Sequence, residues 1–87
     1  MKLILCKNCS DVFKLSQMMR SCKCGMSQGR YLNDLDAEYS GSSAVPLGFA
    51  NSTLVEAIHK QPEDGMGTEF VAFVIPKECP TMKLVKE

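Results

Sequence analysis

A chain of 87 residues has room for one domain with a thin core, because a chain this short buries only about 60–65% of the surface its unfolded form exposes. Hydrophobic residues make up 45% of it and charged residues 23%, ordinary values for a folded globular protein, so disorder is not the expectation. Ten Lys and Arg balance ten Asp and Glu, so the basic excess that announces most nucleic-acid binders is missing.

The chain starts with "MKLILCKNC", one lysine and a short apolar run. A secretory core needs about 7–15 apolar residues and a membrane span about 20, and neither stretch occurs. The expectation is a cytosolic protein with no membrane segment, in a compartment where structural disulfides are rare. "KLILC" and "DVFKL" read as short strands, and "SQMMRS" joins two cysteine pairs, with Met18 and Met19 assigned to core or hairpin packing. Asn33 and Asp34 in "RYLNDLDAEYSG" suit a turn by bonding their own backbone. Pro46 and Gly48 make "SGSSAVPLGF" a loop or an edge strand.

One helix is expected next. Thr53 and Glu56 have the spacing of a capping box, Leu54, Val55 and Ile58 form a narrow apolar stripe, and Pro62 ends it. "EDGMG" is a flexible turn. "TEFVAFVIP" is apolar on both faces, which predicts a central, covered strand. The fold class is α+β: an N-terminal four-cysteine zinc ribbon joined to a small antiparallel sheet with one helix. The chain is expected to form a single compact domain over 1–87, with the ribbon in 1–30 and the sheet and helix in 31–87.

The chemistry centres on Cys6, Cys9, Cys22 and Cys24, spaced C-x2-C, twelve residues, C-x-C. Tetrahedral zinc takes four thiolates, and each pair must sit on a tight turn so that both sulfurs point inward. Gly25 eases the second turn, while Lys7 and Lys23 offset the negative charge. Two disulfides, a redox C-x-x-C and an iron–sulfur cluster are the competing readings. They are disfavoured in turn by the absent signal peptide, the absent βαβ pattern and the spacing. Four cysteines close the coordination shell, so one structural Zn²⁺ is expected, with no catalytic residue and no enzyme activity. Cys79 is assigned to an inert buried thiol.

These residues stand among wider motifs: "C-x2-C-x-D-x-F", a C-x-C-G pair, "GRYL", "YSG", "AVPLGFANSTL", "GMG-x-x-F-x-AFVIP" and "CPT". With them the chain resembles, from Lys2 to about Val85, a group of small zinc-ribbon proteins encoded by bacteriophages and prophages. The resemblance implies a phage origin and action in the cytoplasm of the infected bacterium, and it supplies no catalytic residues.

A second candidate site lies before the helix. Asn51, Ser52 and Thr53 reach a helix N-terminus, where free N–H groups and the helix dipole favour an anion. Arg30 and the loop of Gly65 and Gly67 would complete a pocket for a small anionic ligand. The competing reading is that Thr53 and Glu56 merely cap the helix. The functional expectation is a non-enzymatic phage accessory protein. It would bind and block a host protein, a defence protein among the options, or sequester a small anionic ligand. A nucleic-acid-binding ribbon of transcription-factor type and a small enzyme using the 51–53 loop are the alternatives. A homo-oligomer stays open.

Overall fold

The computed structural model describes residues 1–85. The first two strands, β1 (Lys2–Cys6) and β2 (Val12–Lys14), form an antiparallel hairpin in register Ile4 opposite Phe13. Its loop carries the first cysteine pair. A second hairpin joins β3 (Arg20–Ser21) to β4 (Gln28–Tyr31), and its loop carries the second pair. Then follow β5 (Ala37–Ser40), β6 (Ala44–Phe49), α1 (Asn51–His59), β7 (Ala72–Val74) and β8 (Met82–Leu84).

The strands make two four-stranded sheets, in the orders β2-β1-β6-β7 and β3-β4-β5-β8. The α+β class is therefore present, with the cysteine cluster in the N-terminal region. The boundary expected at residue 30 does not divide the structure. β1 lies between β2 and β6, and the second sheet joins β3 and β4 to β5 and β8. Every strand pair is antiparallel except β5 with β8, which run parallel with Ala37 opposite Met82.

Strand alternation decides what each sheet buries. Ile4, Cys6 and Phe13 turn one face of the first sheet inward, and Ala37, Tyr39 and Met82 do so from the second. Leu15, Cys22 and Ile75 complete this core. At the end of β1 remote from the cysteines, Lys2 links the two sheets. Its backbone N–H donates to Tyr31 Oη at 3.0 Å, and its Nζ donates to the carbonyls of Thr81 (2.7 Å) and Leu35.

Several expectations change here. β6 is an interior strand despite Pro46. Pro46 accepts from the Ile75 N–H at 2.9 Å, so its nitrogen also faces β7, at the point where that strand ends and no donor is needed. β7 is an exposed edge strand rather than a central one. The capping box does not form. Ala50 is the N-cap, Thr53 Oγ1 donates to the Ala50 carbonyl (2.8 Å) and accepts from the Val71 N–H (2.9 Å), and Glu56 pairs with Lys60 (3.0 Å). Of the helix only Ala57 is buried, whereas Val55 and Ile58 of the expected stripe are exposed. Met18 and Met19 are exposed as well, not core.

The helix and the segment that returns past it stand at one end of the molecule. Phe70 meets Phe49 edge-on at 5.0 Å, and Thr68 Oγ1 donates to the Lys60 carbonyl. The radius of gyration is 14.2 Å, against about 12 Å for a compact chain of this length. The principal extents of 46 × 26 × 22 Å show the same elongation.

Candidate metal centre

The turn between β1 and β2 is a tight knuckle. Ser10 N–H donates to the Cys6 carbonyl at 2.7 Å, and Cys6 N–H donates to the Asp11 carbonyl at 2.9 Å. Closing the turn this way puts Ser10 in the left-handed region at φ 61°, a conformation that costs a non-glycine residue roughly 1–2 kcal/mol. In the second knuckle Gly25 N–H donates to the Cys22 carbonyl at 3.1 Å, and Gly25 takes φ 78° without a Cβ to strain. Asp11 joins the two turns by accepting from the Lys23 N–H at 3.1 Å.

The result brings the Sγ atoms of Cys6, Cys9, Cys22 and Cys24 within 4.8 Å of one another. Cys24 Sγ lies 3.7 Å from Cys6 Sγ and 3.4 Å from Cys22 Sγ. A disulfide needs about 2.05 Å, and all five cysteines are free thiols. Four sulfurs around a metal at about 2.3 Å would stand about 3.8 Å apart at the corners of a tetrahedron. The cluster fits that spacing, and it can hold a metal ion. One pair comes from each sheet, so an ion here would cross-link the two sheets at the end opposite Lys2.

The surrounding donors are arranged for thiolates. Cys22 Sγ accepts from the Ser27 N–H, and Cys24 Sγ accepts from Asn8 Nδ2, both at 3.4 Å. The Ser27 side chain, helped by the backbone N–H groups of Cys9 and Asn8, holds the Cys6 thiol below its ordinary value. Burial opposes ionisation of Cys22, but the Ser27 N–H and the neighbouring thiols outweigh it and bring Cys22 down to about 6. Cys24 moves the other way. Asn8 and Met26 favour its thiolate, yet burial and hydrogen bonding to Cys22 and Cys9, which keeps the proton on Cys24, leave it raised.

Ser27 is the sharper test of fit. It is fully buried, and its Oγ has no hydrogen-bond partner of ordinary geometry. An orphaned buried hydroxyl is costly. It does lie near enough to Cys6 to favour that thiolate, so a metal-held thiolate would give it an acceptor. Neither Ser27 nor Asn8 is apparent as a sulfur partner from spacing rules. The available signal is that both are small polar residues within three positions of a cysteine.

The second candidate site does not assemble. Arg30 belongs to β4 and pairs across the strand with Glu38 at 2.8 Å. Asn51 Oδ1 accepts from the Met1 amino group at 2.7 Å, and Thr53 Oγ1 is engaged as described. Ser52 is exposed. Gly65 and Gly67 line an open hollow of about 560 Å³ with Leu54, Ala57 and Ile58, which neither Asn51, Ser52 nor Arg30 reaches. His59 is exposed in the last turn of the helix, and Cys79 is partly buried beside the core with its thiol 3.5 Å from Thr81 Oγ1.

The chain matches no protein-family model, no curated protein and no solved structure. Among the described residues no helix is long and apolar enough to cross a membrane.

Proposed function

We propose that this protein is a non-enzymatic binding protein built around one structural zinc and that it acts by occupying a host protein during phage infection. The observation that carries the reading is the four-sulfur cluster itself. Four sulfurs within 4.8 Å of one another would fill the tetrahedral shell of a bound zinc and leave no position for water or substrate. Soft thiolates select zinc over the hard divalent cations, and a closed thiolate site suits a staple better than a catalyst. Bound there, the ion neutralises thiolates and ties the two hairpins together. Cys6 and Cys22 would hold it from inside the core, Cys9 and Cys24 from the side nearer solvent.

The resemblance to phage-encoded zinc ribbons supports the setting, the cytoplasm of an infected bacterium. Occupation of a protein is favoured over sequestration of an anion because the residues needed for the anion pocket lie on separate elements and are engaged elsewhere. Equal numbers of basic and acidic residues weigh against nucleic acid as the partner.

The test has two stages. Elemental analysis of purified protein should give about one zinc per chain, and iron with visible absorbance, or no metal, would refute the zinc assignment. Tagged protein should then retain a defined host protein from infected cells. Retention that survives replacement of the exposed helix residues Val55 and Ile58, or recovery of nucleic acid instead, would overturn the binding mode.

A further inference from the structure

We propose that β7 is a self-association edge, where two copies of this chain pair their β7 strands antiparallel about a two-fold axis and join two four-stranded sheets into one of eight. The inference is independent of the metal assignment.

The sequence of the strand points to it. Natural sheets guard their edges with charged side chains, lysine above all. Of the four edge strands here, β2 carries Lys14, β3 carries Arg20 and β8 carries Lys83, whereas β7 itself is Ala72-Phe73-Val74 and its guards, Pro76 and Lys77, stand only past its end. Its apolar neighbours extend the run, and exposure reaches 37% at Phe70, 54% at Val71, 50% at Phe73 and 66% at Val74.

The backbone is set for a partner. Val71 uses its carbonyl on Ala50 N–H and its N–H on Thr53 Oγ1, and Ile75 N–H donates to Pro46, so these residues face β6. By alternation, Ala72 and Val74 turn N–H and C=O away from the sheet. Those outward groups fit a symmetric pairing in which Ala72 of one copy lies opposite Val74 of the other and Phe73 faces its own equivalent. The ring of Phe73 already lies over Gly48, where an added Cβ would come within 2.5 Å of it.

Charge selects this register. Centred on Phe73, the pairing carries Glu69 of each copy toward Lys77 of the other, twice by symmetry, with both residues beyond the three-residue strand and Lys77 in the bend that follows Pro76. Both residues are exposed, and neither takes part in an ion pair among the described residues. Centring on Ala72 would instead set Glu69 against Ile75. Area sets the strength. The four exposed side chains leave roughly 400 Å² of apolar surface in water per copy, against about 450 Å² of apolar area within the roughly 800 Å² that each partner buries in a standard interface. Edge pairing covers only part of that surface, because Phe70 and Val74 stand on one face of the strand and Val71 and Phe73 on the other, so a dimer held by that part and a short ladder of hydrogen bonds should be micromolar rather than nanomolar.

Sedimentation equilibrium of the metal-loaded protein should show reversible dimers at micromolar concentration. Ala72→Pro removes an N–H that its own sheet does not use, and it should abolish dimers while leaving the circular dichroism of the monomer unchanged. Should that variant fail to fold, the charges decide. Glu69→Lys or Lys77→Glu alone should weaken the dimer about tenfold, and the double exchange should restore it. A protein monomeric throughout the micromolar range would leave the edge to a strand of another protein and overturn the proposal. So would dimers indifferent to these substitutions.

Discussion

Replacing Ser27 by Ala distinguishes a hydroxyl left stranded in the core from one that serves a thiolate. Ser27 is fully buried and its Oγ has no ordinary partner, while the Cys6 sulfur is the group it favours electrostatically. If the hydroxyl were merely stranded, deleting it would relieve a penalty of about 1–3 kcal/mol and stabilise the fold. If it donates to a metal-held thiolate, deletion removes a charge-assisted bond worth about 1.5–3 kcal/mol. The Cβ remains in either case, so the cavity left behind is small. We expect the second outcome, a net loss of about 1.5 kcal/mol, which for a domain this size lowers Tm by about 6–12 °C. The assay is thermal denaturation of the metal-loaded wild type and Ser27→Ala, with a chromophoric chelator competing for the metal. An equal or higher Tm in the variant, with unchanged metal retention, would refute the reasoning.

Chelation should unfold both sheets together, because each supplies one cysteine pair and metal binding worth about 10–16 kcal/mol rivals the stability of an ordinary domain. Amide signals of β5 that keep native dispersion in the metal-free protein would contradict this. Gly41→Ala should cost about 3 kcal/mol in denaturant unfolding, since φ is 115° and the new Cβ would lie 2.2 Å from the Met26 carbonyl oxygen. Gly25→Ala, with open space and only φ 78° to strain, should cost about 1–2 kcal/mol, and equal losses at the two sites would refute the clash. Burial, then the neighbouring Cys79 charge, raises the Tyr39 hydroxyl above its ordinary value. The folded state therefore keeps this proton longer, and its stabilising contribution, complete below about pH 10, is lost as pH rises from there through the folded value. Tyr39→Phe should flatten that alkaline decline, and an unchanged pH profile would show that Tyr39 plays no part in it.

The four-cysteine cluster was legible because its signal is local. Two cysteine pairs on short turns need only their own hairpins, and Gly25 stands where the left-handed turn requires it. The turn at Asn33 was legible for the same reason, since its Oδ1 accepts from the N–H groups of Leu35 and Asp36. What escaped is non-local. Proline normally bars a strand from the sheet interior, but Pro46 sits where its neighbour ends, and nothing near residue 46 reveals where residue 75 will lie. Thr53 has the spacing of a cap, yet its hydroxyl holds the returning chain at Val71 instead. An apolar run reads as covered, and β7 is an apolar run on an open edge. The parallel placement of β8 depends on a crossover with no periodic mark.

Taken together these features give the molecule two unequal ends. At one, cysteines of the cluster are also core residues: Cys6 is 0% and Cys22 4% exposed, packed with Ile4, Phe13, Tyr39 and Met82. The same sulfurs exclude water as apolar surface when protonated and bind a cation when ionised, so an ion there holds the thin core closed rather than decorating its rim. At the other end, helix α1 buries only Ala57, and the returning segment is held by Phe70 on Phe49 and by Thr53 on Val71. Few buried contacts mean low local stability. A surface that must adapt to a partner is cheapest to place there, because its movement leaves the core around the cysteine cluster intact. The exposed apolar residues Val55 and Ile58 of α1 lie at that end.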